Sequence, residues 1–152
     1  MARSLTELRA QLSEIEPSDA TFAGIDAADV EHLIAIMGDE EGWLAERAVY
    51  ALSRIDSAGA RQALLSAAED PRMAIRVAAA VAAATVPAAQ SDQMLLKLLA
   101  DPQPGVRKFA VRAVSERNSE AVLRRVREIS AADDDPRLQR VAEERISSIS
   151  GG

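Results

Sequence analysis

The chain has no cysteine, a single histidine, and aromatic side chains at only 3% of its 152 positions. Without cysteine there is neither a disulfide framework nor a thiolate metal site, and the absence fits a reducing compartment. With His32 as the sole imidazole, a serine nucleophile has one conceivable base. Ser53, Ser66, Ser115 and Ser147 sit in no elbow or oxyanion motif and read as ordinary helix-surface or cap residues. The 7 glycines are scattered and build no phosphate-cradling loop. Asp39-Glu40-Glu41 and Asp133-Asp134-Asp135 lack the alternating ligands and central glycine of a calcium loop, so they read as solvated turns and caps. Long hydrophobic runs are missing too. The longest, residues 77–84, is too short to span a bilayer, and the first five residues carry no signal-peptide core. The expectation is a cytoplasmic protein, with no metal, no cofactor and no membrane contact.

Charge of one sign is in short supply as well. The net charge is −6, which argues against a duplex nucleic-acid binder, because basic side chains supply most of that affinity. The imbalance is uneven. Residues 1–100 hold 8 Lys+Arg and 15 Asp+Glu, whereas residues 101–152 hold 10 and 9. A local basic face near the C-terminal end is compatible with these numbers.

What is present is a repeat. Asp39, Asp70, Asp101 and Asp133 recur 31, 31 and 32 residues apart, each between two apolar helical stretches, and a period in this range marks a solenoid. Before each Asp lies a first helix whose apolar pairs are Leu33-Ile34, Leu64-Leu65 and Leu95-Leu96, then Ile36-Met37, Ala67-Ala68 and Leu98-Leu99. After each Asp lies a second helix. Its stripe runs through Leu44, Ile75, Val106 and Leu138, then Ala48, Ala79, Ala110 and Ala142, then Leu52, Ala83, Val114 and Ile146. A constant alanine at mid-stripe implies that a neighbouring helix passes closely there. Asp70-Pro71, Asp101-Pro102 and Asp135-Pro136 pair a capping residue with a proline that a first helical turn tolerates.

The paired helices, the period and the Asp-Pro-x-x-x-Val/Ile-Arg signature resemble HEAT-like repeats, in the short form known from phycobilisome lyases and many bacterial proteins. Asp70-Pro71, Ile75-Arg76 and Ala79, and Asp101-Pro102, Val106-Arg107 and Ala110, carry the resemblance over residues 26–149. It implies an all-α, right-handed α-solenoid of about four helical hairpins, at about 26–55, 56–86, 87–117 and 118–149. Residues 1–25 read as an N-terminal helical cap, with a helix over 4–15, a break at Pro17 and a partial turn near Phe22; 150–152 form a tail. The resemblance further implies that Asp70, Arg76, Asp101 and Arg107 form a structural ladder of charge pairs between repeats. Ala45 and Gln139 stand where the arginine should be in the first and last repeats. Glu31-His32 is similar to the ligand pairs of HEAT-repeat hydroxylases, but a di-iron site needs several converging histidines and glutamates.

Positions four, seven and eleven after each Asp form a second-helix stripe off the core. They hold Trp43, Glu46 and Tyr50, then Ala74, Val77 and Val81, then Gly105, Lys108 and Arg112, then Arg137, Arg140 and Glu144. The only Trp and the only Tyr share this stripe, which passes from aromatic through apolar to basic. In solenoids similar to this one the second helices line the concave surface. The expected function is therefore a non-enzymatic scaffold or adaptor. It would bind a protein or peptide, acidic segments included, through Trp43, Tyr50, Val77, Val81, Lys108, Arg112, Arg137 and Arg140. The alternatives are a chromophore-lyase-like subunit and a nucleic-acid-binding HEAT-like protein.

Overall fold

The computed structural model describes residues 3–14, 18–38 and 42–151, and among these every regular element is helical. Helix α1, Leu5–Leu12, is followed by two 3₁₀ turns, Asp19–Phe22 and Ala27–Asp29. Then come α2 Val30–Met37, α3 Gly42–Ser53, α4 Ala58–Ala67, α5 Met73–Ala82, α6 Ala88–Leu98, α7 Pro104–Ala113, α8 Glu120–Ala132 and α9 Pro136–Ser150. Short connections fold the helices into the pairs α2/α3, α4/α5, α6/α7 and α8/α9, and each pair stacks on the next. The fold is an α-solenoid. Helix α9 runs one residue into the expected tail. The expected helix end at Ile15, the break at Pro17, and the Asp39-Glu40-Glu41 turn lie outside the described residues.

Packing follows the stripes except at Ile34 and Leu96, which were expected in the first-helix pairs but are exposed because they stand one residue off the buried face. Leu33, Leu44, Leu64, Ile75, Leu95, Val106, Val126 and Leu138 are buried along one continuous apolar core. The mid-stripe alanines Ala48, Ala79, Ala110 and Ala142 are all fully buried. With only a methyl group at that point, α3, α5, α7 and α9 approach one another more closely than α2, α4, α6 and α8 do. The second helices therefore form the more closely packed layer of the stack, referred to as its inner wall. Helix α1 is capped by Ser4, whose Oγ accepts the N–H of Glu7 while the Glu7 carboxylate accepts the N–H of Ser4. Its buried Leu8 and Leu12 close the stack against α2 and α3.

A polar ladder runs beside the apolar core. Arg76 donates Nε and Nη2 to the Asp101 carboxylate at 2.7 and 3.3 Å, and Nη1 to the Asp70 carbonyl at 3.0 Å. Arg107 repeats the pattern one unit on, reaching Asp133 at 3.0 and 3.1 Å and the Asp101 carbonyl at 2.7 Å. Each arginine thus clamps its own turn and the carboxylate of the next. At the ends the pattern changes. Ala45 offers Asp70 nothing, and Arg72 takes the place of the missing partner, bonding Asp70 at 2.9 Å and the Met37 carbonyl at 2.6 Å. Gln139 keeps the bond to its own turn, donating Nε2 to the Asp133 carbonyl at 2.6 Å.

The Asp-Pro pairing differs from expectation at two sites. Asp70 and Asp101 do not cap a helix; each accepts a backbone N–H two residues ahead, from Arg72 at 2.8 Å and Gln103 at 2.9 Å. An Asx turn is the local alternative to a cap, and it delays the helix starts to Met73 and Pro104. Asp135 does cap α9, accepting the Arg137 N–H at 2.9 Å with Pro136 in the first turn.

Candidate binding face

The second-helix stripe lies on the inner wall. Trp43 and Tyr50 on α3 are 46% and 44% exposed and Val81 on α5 is 52% exposed, high values for large apolar side chains in a helical core protein. Trp43 and Tyr50 share one hollow with Phe22, Glu46 and Arg47. They are therefore on the same side of the molecule. Tyr50 packs edge-on against Phe22 of the N-terminal segment, with ring centroids 4.6 Å apart and an interplanar angle of 68°. The Arg47 guanidinium sits 5.0 Å from the Trp43 ring centroid and donates to the Leu12 carbonyl at 2.6 Å. The aromatic end of the stripe is thus braced by the cap as well as open to solvent.

Between α3 and α5 the inner wall holds an apolar hollow of about 270 Å³. Tyr50, Val77 and Val81 form its sides, Ala74, Ala78 and Ala82 its narrow parts, and Glu46, Ser53 and Thr85 its polar margin. Val77 is partly buried against the core, so it serves both packing and the hollow. Alanines between two helices leave a trough, because nothing beyond Cβ fills the space.

On α7 and α9 the wall is basic. Lys108 and Arg112 straddle the Phe109 ring at 5.6 and 6.0 Å. Arg140 occupies on α9 the register position of Lys108 on α7. Arg137 is less available, because its guanidinium bonds Asp135 at 3.3 Å. Gly105 lies beneath the Met73 side chain; a Cβ there would stand 2.7 Å from Met73 Cε. His32 lies on α2, in the other layer, and is half-buried.

Two residues of this face were absent from the sequence stripe. Phe109 orients both cations and Arg47 covers Trp43. Both fall eight residues after the motif position, next to the counted seven and on the same helical side, so a wider stripe would have included them.

The carboxyl groups with lowered pKa all lie in arginine pairs. The Arg72 guanidinium holds Asp70 below its usual range. Burial pushes Asp133 upward, but Arg107 and the Asp135 N–H more than offset it. Arg137 lowers Asp135, and Arg127 lowers Glu120. None lines the apolar hollow. No helix among the described residues is long and apolar enough to cross a membrane.

Stacked helix pairs joined by an arginine–aspartate ladder, with a tighter inner layer, define a solenoid of helical repeats. Residues 30–101 match the family model of HEAT repeats, a match that supports HEAT-like repeats in this chain. No match is found among curated proteins. Repeats of this family commonly mediate protein interactions.

Proposed function

We propose that the chain is a non-enzymatic scaffold or adaptor that binds a protein or peptide on its inner wall. The observation that carries this reading is the hollow between α3 and α5, where Tyr50, Val77 and Val81 remain accessible beside Trp43. Exposed aromatic and apolar side chains around a concavity are the usual anchors of an interface. The carboxyls of lowered pKa are compatible with this reading, since Asp70 and Asp133 are engaged with arginines that brace the repeats.

The test uses the full chain as bait in extract from the native host, alongside Val81→Arg and Tyr50→Ala. Both positions are exposed, so both variants are expected to keep the helical circular-dichroism signal. Capture of a defined protein by the parent and its loss by Val81→Arg is the expected result. Equal capture by folded Val81→Arg would overturn the assignment of this face.

A further inference from the structure

Among the described residues, four cationic side chains make neither a hydrogen bond nor an ion pair: Lys108, Arg112, Arg124 and Arg140. Other cations bond carboxylates or helix-terminal carbonyls, as Arg117 does to Val86 at 2.6 Å and Arg145 to the Arg112 carbonyl at 2.9 Å. Three of the four unengaged cations, Lys108, Arg112 and Arg140, fall on the inner wall of α7 and α9. In a chain of net charge −6, cations that bond no carboxylate on one wall are not explained by folding, and Asp135, which lines the hollow of Lys108, is engaged by Arg137 instead. The Phe109 ring holds two of them side by side. Glu144 lines the same small hollow as Arg112, Val141 and Arg145 without bonding to any of them.

Charge complementarity therefore names the partner. Resting on the inner-wall reading above, we infer that the occupant is a peptide segment with apolar anchors followed by carboxylates. Its Leu-, Phe- or Met-type side chains enter the α3–α5 hollow beside Tyr50, Val77 and Val81. Its Asp or Glu side chains meet Lys108, Arg112 and Arg140. Neighbouring helix axes lie about 8–10 Å apart, so the step from the hollow to α7 corresponds to about three residues of extended chain. A segment crossing from α3 to α9 would cover about eight or nine residues on the same arithmetic. The order follows from the wall: apolar over the aromatic end, acidic over the basic end.

The experiment is selection from a display library of random twelve-residue peptides on the folded full chain, with parallel selections on Val81→Arg and on the triple variant Lys108→Glu/Arg112→Glu/Arg140→Glu. The expected result is enrichment of peptides with Asp or Glu about three residues from an apolar cluster. Such a synthetic peptide should bind the triple variant at least about ten times more weakly, and weaken with added salt. Selection on the triple variant should turn toward Lys and Arg. Peptides lost on Val81→Arg but without acidic bias would overturn the inference and leave the inner-wall reading standing. Peptides indifferent to both variants, or no enrichment at all, would overturn the inference and count against the inner wall as a peptide groove.

Discussion

Arg107 and Asp133 are 12% and 6% exposed at their side chains, and Arg107 also reaches the Asp101 carbonyl. Removing the guanidinium leaves a nearly buried carboxylate without its partner. Arg107→Ala is expected to cost about 2–4 kcal/mol, read from urea unfolding. Arg107→Lys should recover little, because an ammonium cannot reproduce the fork. Replacing both partners with Met and Leu should cost less than the single change. The ladder also sets an acid limit. Asp70 and Asp133 have folded pKa values below the ordinary 3.8, so their contribution is full above that value and is lost as pH falls through the lowered ones. The thermal midpoint should change little through this pair of groups between pH 7 and about pH 5 and fall below about pH 4. Asp133→Asn should lower the midpoint at neutral pH and flatten the acid limb. A steep loss between pH 7 and 5 in the parent, absent in Asp133→Asn, would contradict this assignment.

At the scale of elements, the buried alanines decide how closely the inner helices approach. Ala110 on α7 is fully buried between its neighbours. Ala110→Leu should cost about 1–3 kcal/mol by overpacking and should push α5 and α7 apart. Gly105→Ala is expected to displace Met73 rather than break α7, since the obstructing atom ends a flexible side chain. Solution NMR shifts confined to Met73 and its surroundings would show it. These alanines, the period of the aspartates and the apolar stripes were legible in the sequence, because each repeats at a fixed interval and reports a local packing need. The helix starts at Met73 and Pro104 were not, because Asx turns and caps use the same residues. The carbonyl contacts of Arg47, Arg117 and Arg145 were not legible either. Each joins residues more than thirty positions apart at places that do not recur. The stripe residues were legible as a surface. Which cations on it lack partners became visible only once the engaged arginines were placed.

For the molecule as a whole, stability is shared among stacked pairs, and the terminal pair carries a different surface from the interior ones. The outer side of α8 is charged, with Arg127 bonded to Glu120 at 2.6 Å and Arg125 to Glu128 at 3.4 Å. Deleting residues 118–152 should leave the inner apolar sides of α6 and α7 uncovered. Increased binding of a hydrophobic dye and concentration-dependent association in sedimentation are the expected outcomes. A monodisperse truncated chain with the parent's dye signal would mean that the last pair is an appendage.

Gln139 has a further consequence for how such a molecule can lengthen. A tandem copy of residues 102–133 inserted after Asp133 would bring its own guanidinium and its own acceptor, leaving no joint mismatched. An extra hairpin added beyond α9 would meet an uncharged amide with one bond already committed. Internal duplication keeps the ladder unbroken, whereas a hairpin stacked on α9 would need a bridge of its own, as Arg72 provides where Ala45 stands.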